Sequence, residues 1–143
     1  MTALLGVLVG ALVAATAQLW VRRSQTRERW LGELLQRCAE IYALESASRG
    51  HAFDAVRRPG PDPVRPWDTE RRREAEAAVF LLTTDAALTE SVEVLSRSGR
   101  EMSRAVRDGA TDDVFQERAA AHAAALDAFA RAAREALRRR RVL

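Results

Sequence analysis

The residues that could carry chemistry are few: two histidines, one cysteine, and a scatter of serines and carboxylates. His51 stands three residues before Asp54, which puts both on one turn of a helix. Zinc needs three or four ligands, and no cysteine or Glu-x-x-His grouping supplies the others. His122 falls on the apolar side of a helical pattern, where a histidine of the core or its boundary is expected. Cys38 is the only cysteine and cannot form an internal disulfide. Its apolar helical surroundings predict a buried, reduced thiol. Ser46, Ser48, Ser91 and Ser103 have no base at a recognisable spacing, and helix interiors display nucleophiles poorly. No glycine-rich loop of the P-loop or dinucleotide type is present. The carboxylates alternate with arginines, as on ordinary solvated helices. These residues predict no enzyme, no metal or cofactor site and no small-molecule substrate.

The elements around them carry more information. From Ala3 to Val21 the chain reads ALLGVLVGALVAATAQLWV, without a charge. At about 1.5 Å per residue this run spans roughly 28 Å as a helix, close to the hydrocarbon thickness of a bilayer. Trp20 stands where an interfacial aromatic belongs, and Arg22, Arg23, Arg27 and Arg29 follow at once. The expectation is a transmembrane anchor over 1–21 of a single-pass protein of the cell (inner) membrane, with the N-terminus outside and residues 22–143 cytoplasmic. Ala15-Thr16-Ala17 also has the small-x-small form of a signal-peptide cleavage site, so a secreted or envelope-facing protein is the alternative, phage lysis accessories included. Gly6, Gly10 and Ala14 recur every four residues on one helix face, where two backbones can approach closely. They predict association with a second copy or with a partner membrane protein.

The net charge of +3 hides an uneven distribution. Every basic residue is arginine, and the body between the two ends is slightly acidic. The cluster after the leader and the tail Arg138, Arg139, Arg140 and Arg141 are the basic ends. A nucleic-acid binder more often shows a basic face interleaved with aromatics, so no specific nucleic acid is expected. Basic ends beside a membrane segment suit anionic lipid headgroups.

The rest of the chain reads as helix after helix, in keeping with abundant Ala, Leu, Arg and Glu. Leu31, Leu34, Leu35, Cys38, Ile41, Tyr42 and Glu45 follow a three-four spacing, which continues through Ala52, Phe53 and Val56. Residues 57–67, with all four prolines, form a loop. Asp68 or Thr69 starts a second helix with Ala75, Ala78, Val79 and Leu82 inward. Its run Arg71, Arg72, Arg73, offset by Glu70, Glu74 and Glu76, reads as a solvated face. Thr83-Thr84-Asp85 reads as a stop followed by a fresh N-cap, and Leu88, Val92, Leu95, Gly99, Met102 and Val106 line a third helix. Gly109 ends that helix, and Thr111-Asp112-Asp113 starts a fourth lined by Phe115, Ala119, His122, Leu126, Phe129, Ala133 and Leu137. The fold class is all-α, an N-terminal transmembrane helix continuing into an antiparallel bundle. It has four helices if Thr83-Thr84 reverses the chain, and three long ones if it only kinks it. Burial of Leu81, Leu82 and Leu88 on both sides of the break argues for reversal.

The apolar start ending in QLWVRRSQTRERW, the break LLTTDAALTESVEVL and the closing FARAAREAL together resemble small single-pass helical membrane proteins of high-GC actinobacteria. The resemblance implies a membrane-anchored helical domain and assigns no functional residue. The function expected from all of this is a membrane-anchored interaction or scaffold protein without catalytic activity, whose first partner is the lipid bilayer.

Overall fold

A computed structural model describes the backbone of residues 2–58 and 69–142, and the side chains of residues 18, 21–58 and 69–139. Four helices are present among them: α1 (Thr2–Arg57), α2 (Thr69–Leu82), α3 (Ala86–Arg107) and α4 (Asp112–Val142). No strand occurs among the described residues. The chain divides into two compact units, Met1–Glu33 and Leu34–Leu143. The first unit is helical backbone belonging to α1. Among the described residues no helix is long and apolar enough to cross a membrane. The side chains of 1–17, 19 and 20, which make up nearly all of the expected anchor and its Gly6–Gly10–Ala14 face, lie outside the described residues. So does 59–67 of the expected loop, whereas Arg57 still belongs to α1.

The second unit is a four-helix bundle. α1 contributes Leu34, Cys38, Ile41, Glu45 and Ala52, all buried. Their three-four spacing returns them to one face about once per turn, and Ala52 two turns further on. Leu35 and Tyr42, expected on that stripe, are instead 49% and 41% exposed. Each sits one position, about 100° of helix rotation, past a buried residue, and so falls on the flank of the stripe. Gly50 does not interrupt α1, which continues to Arg57.

The helix ends follow local chemistry. Asp85 caps α3, its Oδ1 accepting from the Leu88 backbone N–H at 3.1 Å, while Thr83 Oγ1 accepts from Asp85 N–H at 3.1 Å. α3 closes on Gly109 at φ +63°, with Gly109 N–H donating to Val106 O (3.2 Å) and Ala110 N–H to Ala105 O (3.0 Å). That is a Schellman motif, whose left-handed position suits glycine. α4 then starts with Asp112 and Asp113 in its first turn, favourable at the positive end of the helix dipole.

Side-chain pairings set the helix directions. Glu45 lies beside Gly99, and Ala52 packs with Met102, so α1 and α3 run parallel. His122 lies beside Glu45 and Phe115 beside Phe53, so α4 runs against both. The first turn of α2 sits at Glu40 and Glu45, and α2 ends within four residues of the start of α3. The start of α3 is 13 positions before Gly99, so α2 must travel antiparallel to α1 and α3. Thr83-Thr84 is therefore a true reversal, and the bundle has four helices. Leu81, whose expected burial was part of the case for reversal, is 89% exposed; Thr83 and Leu88 are the buried residues at the turn.

Candidate functional site

The centre of the bundle holds polar groups in an otherwise apolar interior. Glu45 of α1 and His122 of α4 have no exposed surface, and Ser98 and Gly99 of α3 are buried beside them. All of them lie on stripes whose helical spacing turns them inward, so burial is imposed by periodicity and the polar groups must satisfy one another there. His122 Nδ1 lies 3.1 Å from Ser98 Oγ, and Nε2 lies 3.4 Å from the Glu45 carbonyl oxygen and 3.5 Å from Glu45 Oε2. Ser98 Oγ also donates to Leu95 O at 2.9 Å. From α2, Arg72 Nη1 donates to Glu45 Oε1 at 3.3 Å, and its Nε stands 3.7 Å from Glu76. Glu45 Oε2 is buried without a hydrogen bond.

Gly99 makes room for this carboxyl. A Cβ at that position would stand 2.8 Å from Glu45 Oε2 and 3.4 Å from His122 Cε1. The glycine on the α3 stripe therefore serves close approach of α1 and α4.

Burial is the main influence on the acid, pushing Glu45 up from 4.5 to about 7 against the pull of Arg72. Burial also lowers His122 below its usual range, opposed by its bond to the Glu45 backbone. Both shifts favour the neutral forms. One helical turn toward the α3–α4 connection the interior becomes apolar. There Ala52, Met102, Phe115 and Ala119 form a cluster. The Phe53 and Phe115 rings meet edge to face at 5.1 Å, and the Arg49 guanidinium lies over Phe53 at 5.5 Å.

Ser98, His122 and Glu45 follow the order of a nucleophile, a base and an orienting acid. One observation weighs against hydrolytic chemistry: Glu45 and His122 have no exposed surface for a substrate to reach. Among the described residues no group of three or more metal-binding side chains converges. A cavity of about 300 Å³ lies apart from this centre, between Glu101, Arg104, Asp108, Val114 and Arg118. Its charges alternate in sign and select no ligand.

The residues singled out from the sequence are placed as follows. Arg22, Arg23, Arg27 and Arg29 are exposed on α1. Arg138 and Arg139 are exposed near the end of α4, Arg138 beside Glu135 (3.5 Å) and Arg139 on Asp85 (2.9 Å). The side chains of Arg140 and Arg141 lie outside the described residues. Cys38 is a buried thiol, raised by burial to about 11, and His122 is a core histidine. The Arg71–Arg73 run is not wholly a solvated face: Arg71 bonds Glu40 and holds that carboxyl low, while Arg72 reaches inward to Glu45. The reading from sequence missed Ser98 and Arg72. An acid and a histidine both on inward stripes were the available signal that a polar centre exists. Comparison with protein-family models, curated proteins and solved structures gives no match to this chain.

Proposed function

We propose that this protein is a membrane-anchored helical interaction or scaffold protein without catalytic activity. The observation that carries the reading is continuity: α1 is one helix that starts in the uncharged run Ala3–Val21, passes the exposed arginines 22, 23, 27 and 29, and supplies the buried stripe of the bundle from Leu34 onward. The uncharged run is the anchor, and the arginines that follow it keep the bundle on the cytoplasmic side. Those arginines and Arg138 to Arg141 meet anionic headgroups. The small-residue face Gly6, Gly10, Ala14 packs against a second copy or a partner membrane helix. The layout shared with single-pass actinobacterial proteins supports the same reading.

Fractionation tests it. The full chain is expected in membranes, released by detergent and not by salt or carbonate, and residues 22–143 alone are expected in the soluble fraction. A C-terminal tag should resist protease in right-side-out vesicles and be cleaved in inside-out ones. Full-length protein in the soluble fraction would sink the anchor. In a membrane-helix association assay Gly10→Leu should weaken pairing while Ala11→Leu leaves it; equal responses would remove the small-residue face.

A further inference from the structure

The hydrogen-bond geometry around Glu45 has two consistent proton arrangements. With Glu45 neutral, Oε2–H donates to His122 Nε2 (3.5 Å), Nδ1–H donates to Ser98 Oγ (3.1 Å), and the Ser98 hydroxyl donates to Leu95 O (2.9 Å). That chain runs in one direction from α1 through α4 to α3; it gives Oε2, otherwise without a hydrogen bond, a partner, in exchange for the 3.4 Å bond from Nε2–H to the Glu45 carbonyl oxygen. With Glu45 charged, the ring must carry its proton on Nε2, facing the Glu45 carboxylate and carbonyl, and the serine hydroxyl turns to Nδ1. The difference is one proton released to water and one relocated from Nδ1 to Nε2. The two arrangements hold the carboxyl differently. Both forms stay tied to α4 through His122 Nε2, as donor in one and acceptor in the other. Only the charged one attracts Arg72 as an ion pair, its direct tie to α2 at 3.3 Å.

We propose that Glu45 is a proton-binding switch in the bundle: with the proton bound it donates to His122, which takes the Nδ1–H tautomer, and with the proton lost it accepts from the Nε2–H tautomer and draws Arg72 more strongly, which clamps α2 onto α1. The other charged groups facing the pair are Arg49 on α1, Glu76 on α2 and Arg100 on α3. Arg49 and Arg100 favour loss of the proton from Glu45 or oppose charge on His122, and Glu76, 3.7 Å from Arg72, competes for that guanidinium. α2 is the element free to respond. α2 touches α3 sparsely compared with α4 and ends in the exposed Phe80 and Leu81.

Long-range ¹H–¹⁵N correlation of the histidine rings in the full-length, detergent-solubilised protein tests the switch, because the two tautomers give distinct nitrogen patterns. His51→Gln assigns the remaining ring to His122. Between pH 6 and pH 8.5 His122 is expected to pass from the Nδ1–H to the Nε2–H tautomer. Glu45→Gln, whose amide donates to Nε2 at every pH, should hold the Nδ1–H form throughout. Hydrogen exchange supplies the second measurement: at pH 8.5 the α2 amides should exchange several-fold faster in Glu45→Gln than in the unsubstituted protein, with α4 unchanged. One tautomer across the whole range in the unsubstituted protein overturns the proposal, whatever the variants do. A switch that persists in Glu45→Gln overturns it too. Equal α2 exchange removes the clamp.

Discussion

The Ala52–Met102–Phe115–Ala119 cluster and the Glu45–His122 centre are one to two turns apart on the same three helices, and both are almost wholly buried. Their rules differ. The apolar cluster is held by surface removed from water and by dispersion, which depend on volume and hardly on direction. Any well-filling set of side chains would serve it within a few kcal/mol. The polar centre is held by directed bonds between groups that each need a partner, so it depends on the number and placement of protons. Equal burial thus gives a part that is robust to pH and sensitive to volume, and a neighbouring part with both sensitivities. Arg49 touches both, stacking on Phe53 while lying in the field of His122.

The largest effect should come from emptying the apolar part. Phe115→Ala is expected to cost about 3–5 kcal/mol in urea denaturation, because a ring with 1% exposure leaves a cavity among Ala52, Met102 and Ala119. The loss should be the same at pH 6 and pH 8. A strongly pH-dependent loss would erase the distinction between the two regions.

Next is the pH dependence of the centre. Glu45, raised from 4.5 to about 7, contributes stability that is full below 4.5 and is lost as pH rises through about 7. The rise corresponds to an effect on the order of 3 kcal/mol. His122, lowered from 6.5, contributes stability that is full above 6.5 and is lost as pH falls through its folded value. The two contributions oppose each other between 4.5 and 6.5, so stability should be flattest there and fall above it. Glu45→Gln should remove the fall above 6.5 and uncover the His122 slope, so that stability drops as pH falls below 6.5. An alkaline fall of unchanged size would assign it to other groups.

Gly99→Ala sharpens the comparison at a single atom. The added methyl meets Glu45 Oε2 at 2.8 Å, and the carboxyl, enclosed on all sides, has little room to retreat. A loss of about 1–3 kcal/mol is expected, most of it absent in a Glu45→Ala background. Additive losses in that double-mutant cycle would mean that the glycine serves something other than this contact. The smallest effect belongs to the periphery. Asp85→Ala removes the α3 cap and the Arg139 pair, and should cost about 1 kcal/mol in the same denaturation series. A cost rivalling that of Phe115→Ala would show the turn at Thr83-Thr84 to be held mainly by its cap.

By itself the sequence determined what short-range forces decide. Helix starts at Thr69, Asp85 and Asp112, the stop at Gly109, and the stripes that bring Ile41, Leu88, Phe115 and His122 inward all follow from spacings of three and four residues and from capping chemistry. Even Glu45 was legible as a member of its stripe, though its role was not. Tertiary structure alone decided which polar groups meet. His122 and Glu45 are 77 positions apart, Arg72 and Glu45 are 27, and His122 and Ser98 are 24, so no periodicity links them. It also decided that Leu35, Tyr42 and Leu81 stay exposed, because one residue of helix rotation separates the centre of a stripe from its flank. The width of a buried face is set by how closely the neighbouring helices approach. In this bundle that approach depends on the missing side chain of Gly99 and on a carboxyl that fits the space it leaves.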